Sequence, residues 1–553
     1  MRRVPLSALL RALFSLVVTV SCARGPAPSA APSPAAPVSK LPAPVSPPPA
    51  APPTPHAYAS QDAAPPLPPI PGVDGPLQIK VVYPPQNHEL TARDSTFILG
   101  SVGTGLAQLS INGIAVPVFA NGAFLAWLPV PPLDRPRYEL FAIRGEQTAT
   151  VTVNVRRRDP SLVTPAAPLV TTDLPEPRVA ELTNVNEDAT SDTDKVAILR
   201  PTPAGTYKWF LFPGTRVEIT GMRGDSYRVK LDSDLEVWAE SREVKLLAES
   251  TTVRRHRIAS NARVVATDSW SDLRIPVTER PAYQVEERRD ALVLTLYATN
   301  SNVDVVNFAT NDEVIRDVTW EQATSGRVRF TVHLRRAPFG WLALWERGTF
   351  VLRVRRAPTV DAARPLAGRV IALDPGHPPV GSTGPTGLYE GDAVLDVAEK
   401  LKPMLESRGA TVVMTRTTRD PVALGLRAIT ARRENADALV SIHLNALPDG
   451  ANPFRVSGTG TYFFHDHSEP LARAVQRGMV HEMGLRDLGI NYDNLAVART
   501  TWMPAILCEG AFVIVPEQEA ALRDPSFQRR YALGILEGLE EYFRALAAEG
   551  NRP

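Results

Sequence analysis

Cysteine is almost absent from this sequence: Cys22 and Cys508 are the only two in 553 residues. A disulfide framework is therefore excluded. Neither sign of charge dominates, since 60 Lys and Arg against 59 Asp and Glu leave a net of +1 at pH 7. No basic block is dense enough to argue for a nucleic-acid partner. The apolar stretch near the N-terminus, Ala12–Val20, is too short for a membrane-spanning helix. Proline, by contrast, is plentiful, with 53 in all and 18 of them in the first 70 positions. The chain is too long for one domain, and its length suggests three or four.

The N-terminus, MRRVPLSALLRALFSLVVTVSCA, has a basic start (Arg2, Arg3, Arg11), a short apolar run and then small residues. This pattern predicts a secretory signal over residues 1–22. Ser21-Cys22 resembles the end of a bacterial lipoprotein box, with Thr19 where leucine is usual. The resemblance implies that Cys22 is lipidated and becomes the new N-terminus. It implies an exported protein of the periplasm or cell envelope, anchored at the outer membrane. Plain cleavage after Ala23 would instead give a soluble secreted protein. Residues 23–70 are Pro, Ala and Ser with few large apolar side chains, and they predict an extended linker. At about 3.1 Å per residue, such a linker would reach up to roughly 150 Å.

Short alternating strands separated by turn signals follow over 76–157, with Asn112-Gly113 and Asn121-Gly122 marking turns. This stretch resembles the immunoglobulin-like modules of bacterial surface proteins. A polar connector is expected at 158–193. Residues 194–248 resemble a bacterial SH3-like domain through Pro213-Gly214, the Gly221–Tyr227 hairpin and Val237-Trp238. Modules of that kind often bind wall peptides. Residues 250–358 are again β-rich and loosely resemble the wall-localising domains that precede some amidases.

From about Arg364 strands and helices alternate, which predicts an α/β domain with a mostly parallel sheet flanked by helices over 366–546. The expected class is thus multidomain, with small all-β domains preceding a C-terminal α/β catalytic domain. In such sheets function gathers at the carboxyl ends of strands. His377 follows the strand GRVIALDPG, His443 closes ALVSIH, and Glu509 closes PAILCEG. Glu390 is expected in the loop before a helix that Asp392 caps and Gly409 ends. Two imidazoles and one carboxylate suit a catalytic zinc with an open position for water. The residual positive charge of such a site acidifies water and polarises a carbonyl. A further carboxylate is needed to move the proton, and Glu509 emerges from an apolar strand suited to that role. Each residue alone has a plainer explanation: a hydrogen-bonded loop histidine, a glutamate at a helix N-terminus, an exposed strand end.

LDPGHPP, YEGDAVLDVAEKL, VVMTR, SIHLNA and PAILCEGAF together resemble the zinc-dependent N-acetylmuramoyl-L-alanine amidases of the family-3 type. The resemblance implies His377, Glu390 and His443 as ligands of Zn2+, with Glu509 as general base. The implied substrate is peptidoglycan, cut between N-acetylmuramic acid and L-alanine of the stem peptide. Pro378-Pro379 replace the family's glycines and remove two backbone N–H donors. Between His443 and Glu509 one strand and one helix are expected, without the inhibitory helix some relatives insert. Localisation by the β domains is then the expected control, and no activator protein is identified. Three rivals remain: a zinc peptidase acting within the stem peptide, a non-catalytic wall-binding scaffold, and an adhesin-like stalk. His465 and His467 are read as turn residues, His481 as a surface residue, and Cys508 as core filling.

Overall fold

The computed structural model describes residues 66–157, 169–184, 196–248, 256–258 and 260–550. The signal segment, Cys22 and all but the end of the 23–70 linker lie outside the described residues.

Residues 79–157 form two sheets packed face to face. Lys80–Tyr83, Ser95–Ser101 and Ala123–Pro129 make one; His88–Leu90, Gln147–Arg157, Arg137–Arg144, Gln108–Ile111 and Ile114–Val116 make the other. Asn112 and Gly113 both take positive φ (48° and 80°), the geometry of a two-residue hairpin turn. Strand alternation gives the three-stranded sheet two apolar faces. Ile98, Phe124, Ala126 and Leu128 fill the sandwich interior. Phe97, Leu99 and Leu125 belong instead to the core of the C-terminal domain.

Residues 172–182, expected within a connector, are a strand. Its prolines and charges hid it, but it pairs with both Arg216–Arg223 and Val244–Leu246 and so sits inside a seven-stranded sheet. The boundary expected near residue 250 separates no independent cores. One apolar cluster runs from Ala180 through Phe212 and Phe350 to Val354. Within it Phe212, Tyr283 and Phe350 meet with ring centroids 4.8–5.8 Å apart.

The C-terminal domain is a six-stranded sheet in the order Thr411–Met414, Val370–Pro375, Ala438–Asn445, Ala505–Phe512, Thr459–Phe463, Asp487–Tyr492. The sheet is mixed: Thr459–Phe463 runs antiparallel to Ala505–Phe512, and the other pairings are parallel. The helices are α1 (Glu390–Ser407), α2 (Leu424–Arg433), α3 (Pro453–Val456), α4 (Glu469–Met483), α5 (Pro516–Leu522) and α6 (Pro525–Gly550). None of the described helices is long and apolar enough to cross a membrane. α1 buries Val394, Val397, Leu401 and Leu405 against the sheet. It starts earlier than expected. Tyr389, in extended conformation, occupies the N-cap position, so Glu390 lies in the first helical turn and Asp392 caps nothing. Gly409 does end the helix, with φ +85° and its N–H donating back to Glu406 O. The strand Asp487–Tyr492 and the short α3 and α5 add to the elements expected there.

The two β regions dock at opposite ends of this sheet. Trp341 N–H donates to Thr501 O, and the Arg355 guanidinium reaches Ala436 O and Asp437, just before the strands that start at 438 and 505. The sandwich of residues 79–157 meets the other end, after Asn445.

Candidate active site

The Ala438–Asn445 and Ala505–Phe512 strands run parallel and place His443 directly opposite Glu509. Partners in parallel register point to the same face, so both side chains rise on one side of the sheet. Cys508, one step out of phase, turns into the core and is fully buried, and burial pushes its thiol pKa up. On the other side of His443, Gly376 N–H donates to Ile442 O and carries the chain from Pro375 into the His377 loop. The His443 ring lies so close over this turn that a Cβ on Gly376 would sit 2.3 Å from its Cε1. Only glycine permits that approach.

His377 has φ +55°, a left-handed backbone that non-glycine residues rarely adopt. The loop is held there by its carbonyls. Arg416 donates to Pro375 O and Gly376 O (both 2.8 Å) and to Gly391 O (2.6 Å). Arg427 donates to Pro375 O (2.9 Å), His377 O (3.3 Å) and Pro378 O (3.1 Å). The loop's loss of two N–H donors to Pro378-Pro379 is thus matched by its use as an acceptor surface for two guanidinium groups. Arg427 is itself paired with Asp374 (2.8 Å), a fully buried carboxylate that also accepts from Ser441 Oγ (2.7 Å) and Thr415. Sequence reasoning missed Arg416, Arg427 and Asp374. Their signal was a charge inside an apolar strand, at LDPG and VVMTR, and one on the buried face of α2.

Glu390 enters from α1. Its Oε1 faces Nε2 of His377 (3.2 Å) and Nδ1 of His443 (3.3 Å). Backbone N–H groups orient both carboxylate oxygens: Leu444 N–H donates to Oε1 and Ser382 N–H to Oε2, each at 3.0 Å. One potential donor atom from each of His377, Glu390 and His443 lies within 4.8 Å of the others. Burial raises the Glu390 pKa, but the two histidines outweigh it and take it down to about 2. The loop from Ser382 to Tyr389 has a second tether. Buried Glu519 of α5 accepts from Thr386 N–H (3.0 Å) and Leu388 N–H (3.1 Å).

Glu509 contrasts with Glu390. Its buried Oε2 has no hydrogen-bond partner among the described residues. Desolvation, reinforced by the negative charge of Glu390, pushes its carboxyl well above the usual carboxylate range. Two neighbouring carboxylates with divergent proton affinity are the arrangement acid–base chemistry requires.

The remaining histidines lie elsewhere. His465 and His467 follow the Thr459–Phe463 strand, away from the site, and both contact Glu287 of the β-rich region (3.3 and 2.9 Å). His481 is exposed on α4.

Known proteins resemble the domain that carries this site. Residues 371–541 match the family model described as N-acetylmuramoyl-L-alanine amidase. The probable cell wall amidase LytH of Staphylococcus epidermidis is 32% identical over 208 residues, which cover 37% of this chain and 67% of that protein. LytH of Staphylococcus aureus is 32% identical over 210 residues, covering 37% and 68%. Among solved structures, the catalytic domain of the amidase CwlV from Bacillus (Paenibacillus) polymyxa is 34% identical. That match has a TM-score of 0.30 and covers 32% of this chain and 97% of that one. The chain belongs to the N-acetylmuramoyl-L-alanine amidase family.

Proposed function

We propose that this peptidoglycan amidase hydrolyses the amide between the lactyl group of N-acetylmuramic acid and the L-alanine of the stem peptide, using zinc and a glutamate base. His377, Glu390 and His443 would hold the ion, and Glu509 would move the proton. One observation carries this reading. Two imidazole nitrogens converge on one carboxylate oxygen, beside a second carboxylate whose buried Oε2 has no partner among the described residues. The donor set fits the metal, since two nitrogens and one oxygen leave a catalytic zinc one open position. Bound there, zinc supplies positive charge that polarises the amide carbonyl and acidifies water.

The chain's own residues do the rest. Glu390 is ionised at neutral pH and its lone pairs are aimed by the Ser382 and Leu444 N–H groups. Arg416 and Arg427 lock the backbone beneath His377, which fixes the direction of its ring. Glu509 takes a proton from water and delivers it to the nitrogen of the departing L-alanine. Surroundings that favour its neutral form make it a stronger base.

The β regions ahead of the catalytic domain, read as an immunoglobulin-like sandwich followed by SH3-like and wall-localising parts, would suit action on an insoluble wall polymer. Export, lipidation at Cys22 and a place in the cell envelope complete the proposal, supported by the N-terminal pattern and the proline-rich spacer.

Metal analysis of the purified chain, with His443→Ala and Glu509→Gln, tests the site. Wild type and Glu509→Gln are expected to carry stoichiometric zinc, and His443→Ala to lose it. Wild-type zinc content in His443→Ala would overturn the ligand assignment.

A further inference from the structure

The segment after the His443 strand is held by a different domain. It runs from Ala446 through α3 and begins at the catalytic end of the sheet. At its middle is Asp449, whose side chain is only 3% exposed. Among the described residues, every donor on this carboxylate comes from the N-terminal sandwich, more than 350 positions away in sequence. Tyr83 donates its hydroxyl to Oδ1, and Thr96 Oγ1 approaches the same oxygen at 3.4 Å. Thr91 N–H donates to Oδ2 at 2.9 Å, with Thr91 Oγ1 and His88 Nε2 each at 3.3 Å. Gly450 N–H returns a bond to Thr96 Oγ1 (3.4 Å). Burial raises the Asp449 pKa, but the bonds from Tyr83, Thr91 and His88 more than offset this and lower it.

What the clamp holds is exposed. Asn452 caps α3 by accepting from Phe454 N–H (3.0 Å), and α3 displays Phe454 (60% exposed) and Val456 (41%). Leu99 and Leu125 of the same sandwich are buried in the catalytic core, so the domain that grips Asp449 is itself firmly seated.

We propose that Asp449 is a positioning residue through which the N-terminal sandwich fixes the 446–456 segment as one rim of the substrate cleft. The sandwich is then a working part of the catalytic unit, and Phe454 is the exposed ring that this rim offers to the polymer. The inference rests on the amidase reading for its kinetic consequences alone. The positioning itself is observable without turnover.

The test uses the full chain with Asp449→Asn, the milder Tyr83→Phe, and Phe454→Ala. An amide in place of the carboxylate turns an NH2 toward donors, so Asp449→Asn should break the clamp. Hydrogen exchange of residues 445–457 is expected to quicken by roughly tenfold in Asp449→Asn and less in Tyr83→Phe. KM for peptidoglycan should rise by roughly three- to tenfold, with kcat within about twofold. Zinc content should stay at the wild-type level. Phe454→Ala should reproduce the KM rise without the faster exchange. Unchanged exchange in Asp449→Asn would overturn the proposal. If that variant fails to fold, Tyr83→Phe decides: wild-type exchange and KM there would overturn it equally. A wild-type chain that lacks zinc-dependent cleavage would refute the proposed function, while the exchange result would still decide the clamp.

Discussion

Gly376→Ala places a methyl group inside the active site without removing any functional side chain. Its Cβ would lie 2.3, 2.4 and 2.6 Å from Cε1, Nε2 and Nδ1 of the His443 ring. Ordinary carbon–carbon contact is about 3.5–4.0 Å, so ring and backbone must separate by more than about 1 Å. The backbone cannot yield easily, because Arg416 holds Gly376 O at 2.8 Å and Gly376 N–H is bonded to Ile442 O. The ring therefore moves, and Nδ1 leaves its place beside Glu390. Overpacking of this kind costs about 1–3 kcal/mol of stability, a few degrees in Tm for a domain of this size. The functional cost is larger, since a displacement of about 1 Å can lower a rate by ~100-fold. Zinc content, thermal unfolding and dye release from labelled peptidoglycan would be measured together. A Gly376→Ala enzyme with full zinc and wild-type turnover would refute the geometry assigned to His443.

Other substitutions probe the supports. Arg427→Ala strands the fully buried Asp374 carboxylate and should cost about 3–5 kcal/mol in denaturant titrations. Arg427→Lys, which loses the fork of donors, should recover only part of it. Cys508→Ala should retain full activity, and thiol reagents should leave the native enzyme untouched, because the thiol is buried and takes no part in the chemistry. The joint at Glu287 should show in the pH dependence of stability. His467 has Nδ1 on Glu287 (2.9 Å) and Nε2 on Met503 O (3.3 Å), so both ring nitrogens face acceptors. Burial lowers its pKa, but Glu287 outweighs this and raises it above the ordinary histidine value. A raised folded pKa contributes stability that is full below about pH 6.5 and is lost as pH climbs through the folded value. Tm should therefore fall on the alkaline side in wild type and be flatter in His467→Gln; equal slopes would contradict the assignment.

The candidate site was legible in the sequence because its residues sit at or near the carboxyl ends of apolar strands. His377 lies just past one apolar strand, and His443 and Glu509 lie within the last four residues of two others, where an apolar run gives way to polar residues in the one-dimensional pattern. Glu390 was legible as a residue but not as a helical one, because Tyr389 caps α1 by backbone conformation and carries no capping side-chain signature. The strand Thr172–Leu182 was hidden by Pro175 and Pro177, which the sheet tolerates beside an irregular register near Gly221. Contacts such as Asp449 with Tyr83, Glu519 with Thr386 and Glu287 with His467 join residues 100 or more positions apart. Such pairs leave no periodicity to read, since each partner alone is an ordinary polar residue of its own strand, helix or loop.

The most direct test of the mechanism is the structure of the products. Purified peptidoglycan would be digested with wild type and with Glu509→Gln, and the released fragments analysed by mass spectrometry and amino-terminal labelling. A zinc amidase releases stem peptides with a free L-alanine amino group and leaves the glycan strands uncut, and Glu509→Gln, with its zinc retained, releases none. New amino termini inside the stem peptide, or wild-type release by Glu509→Gln, would contradict it.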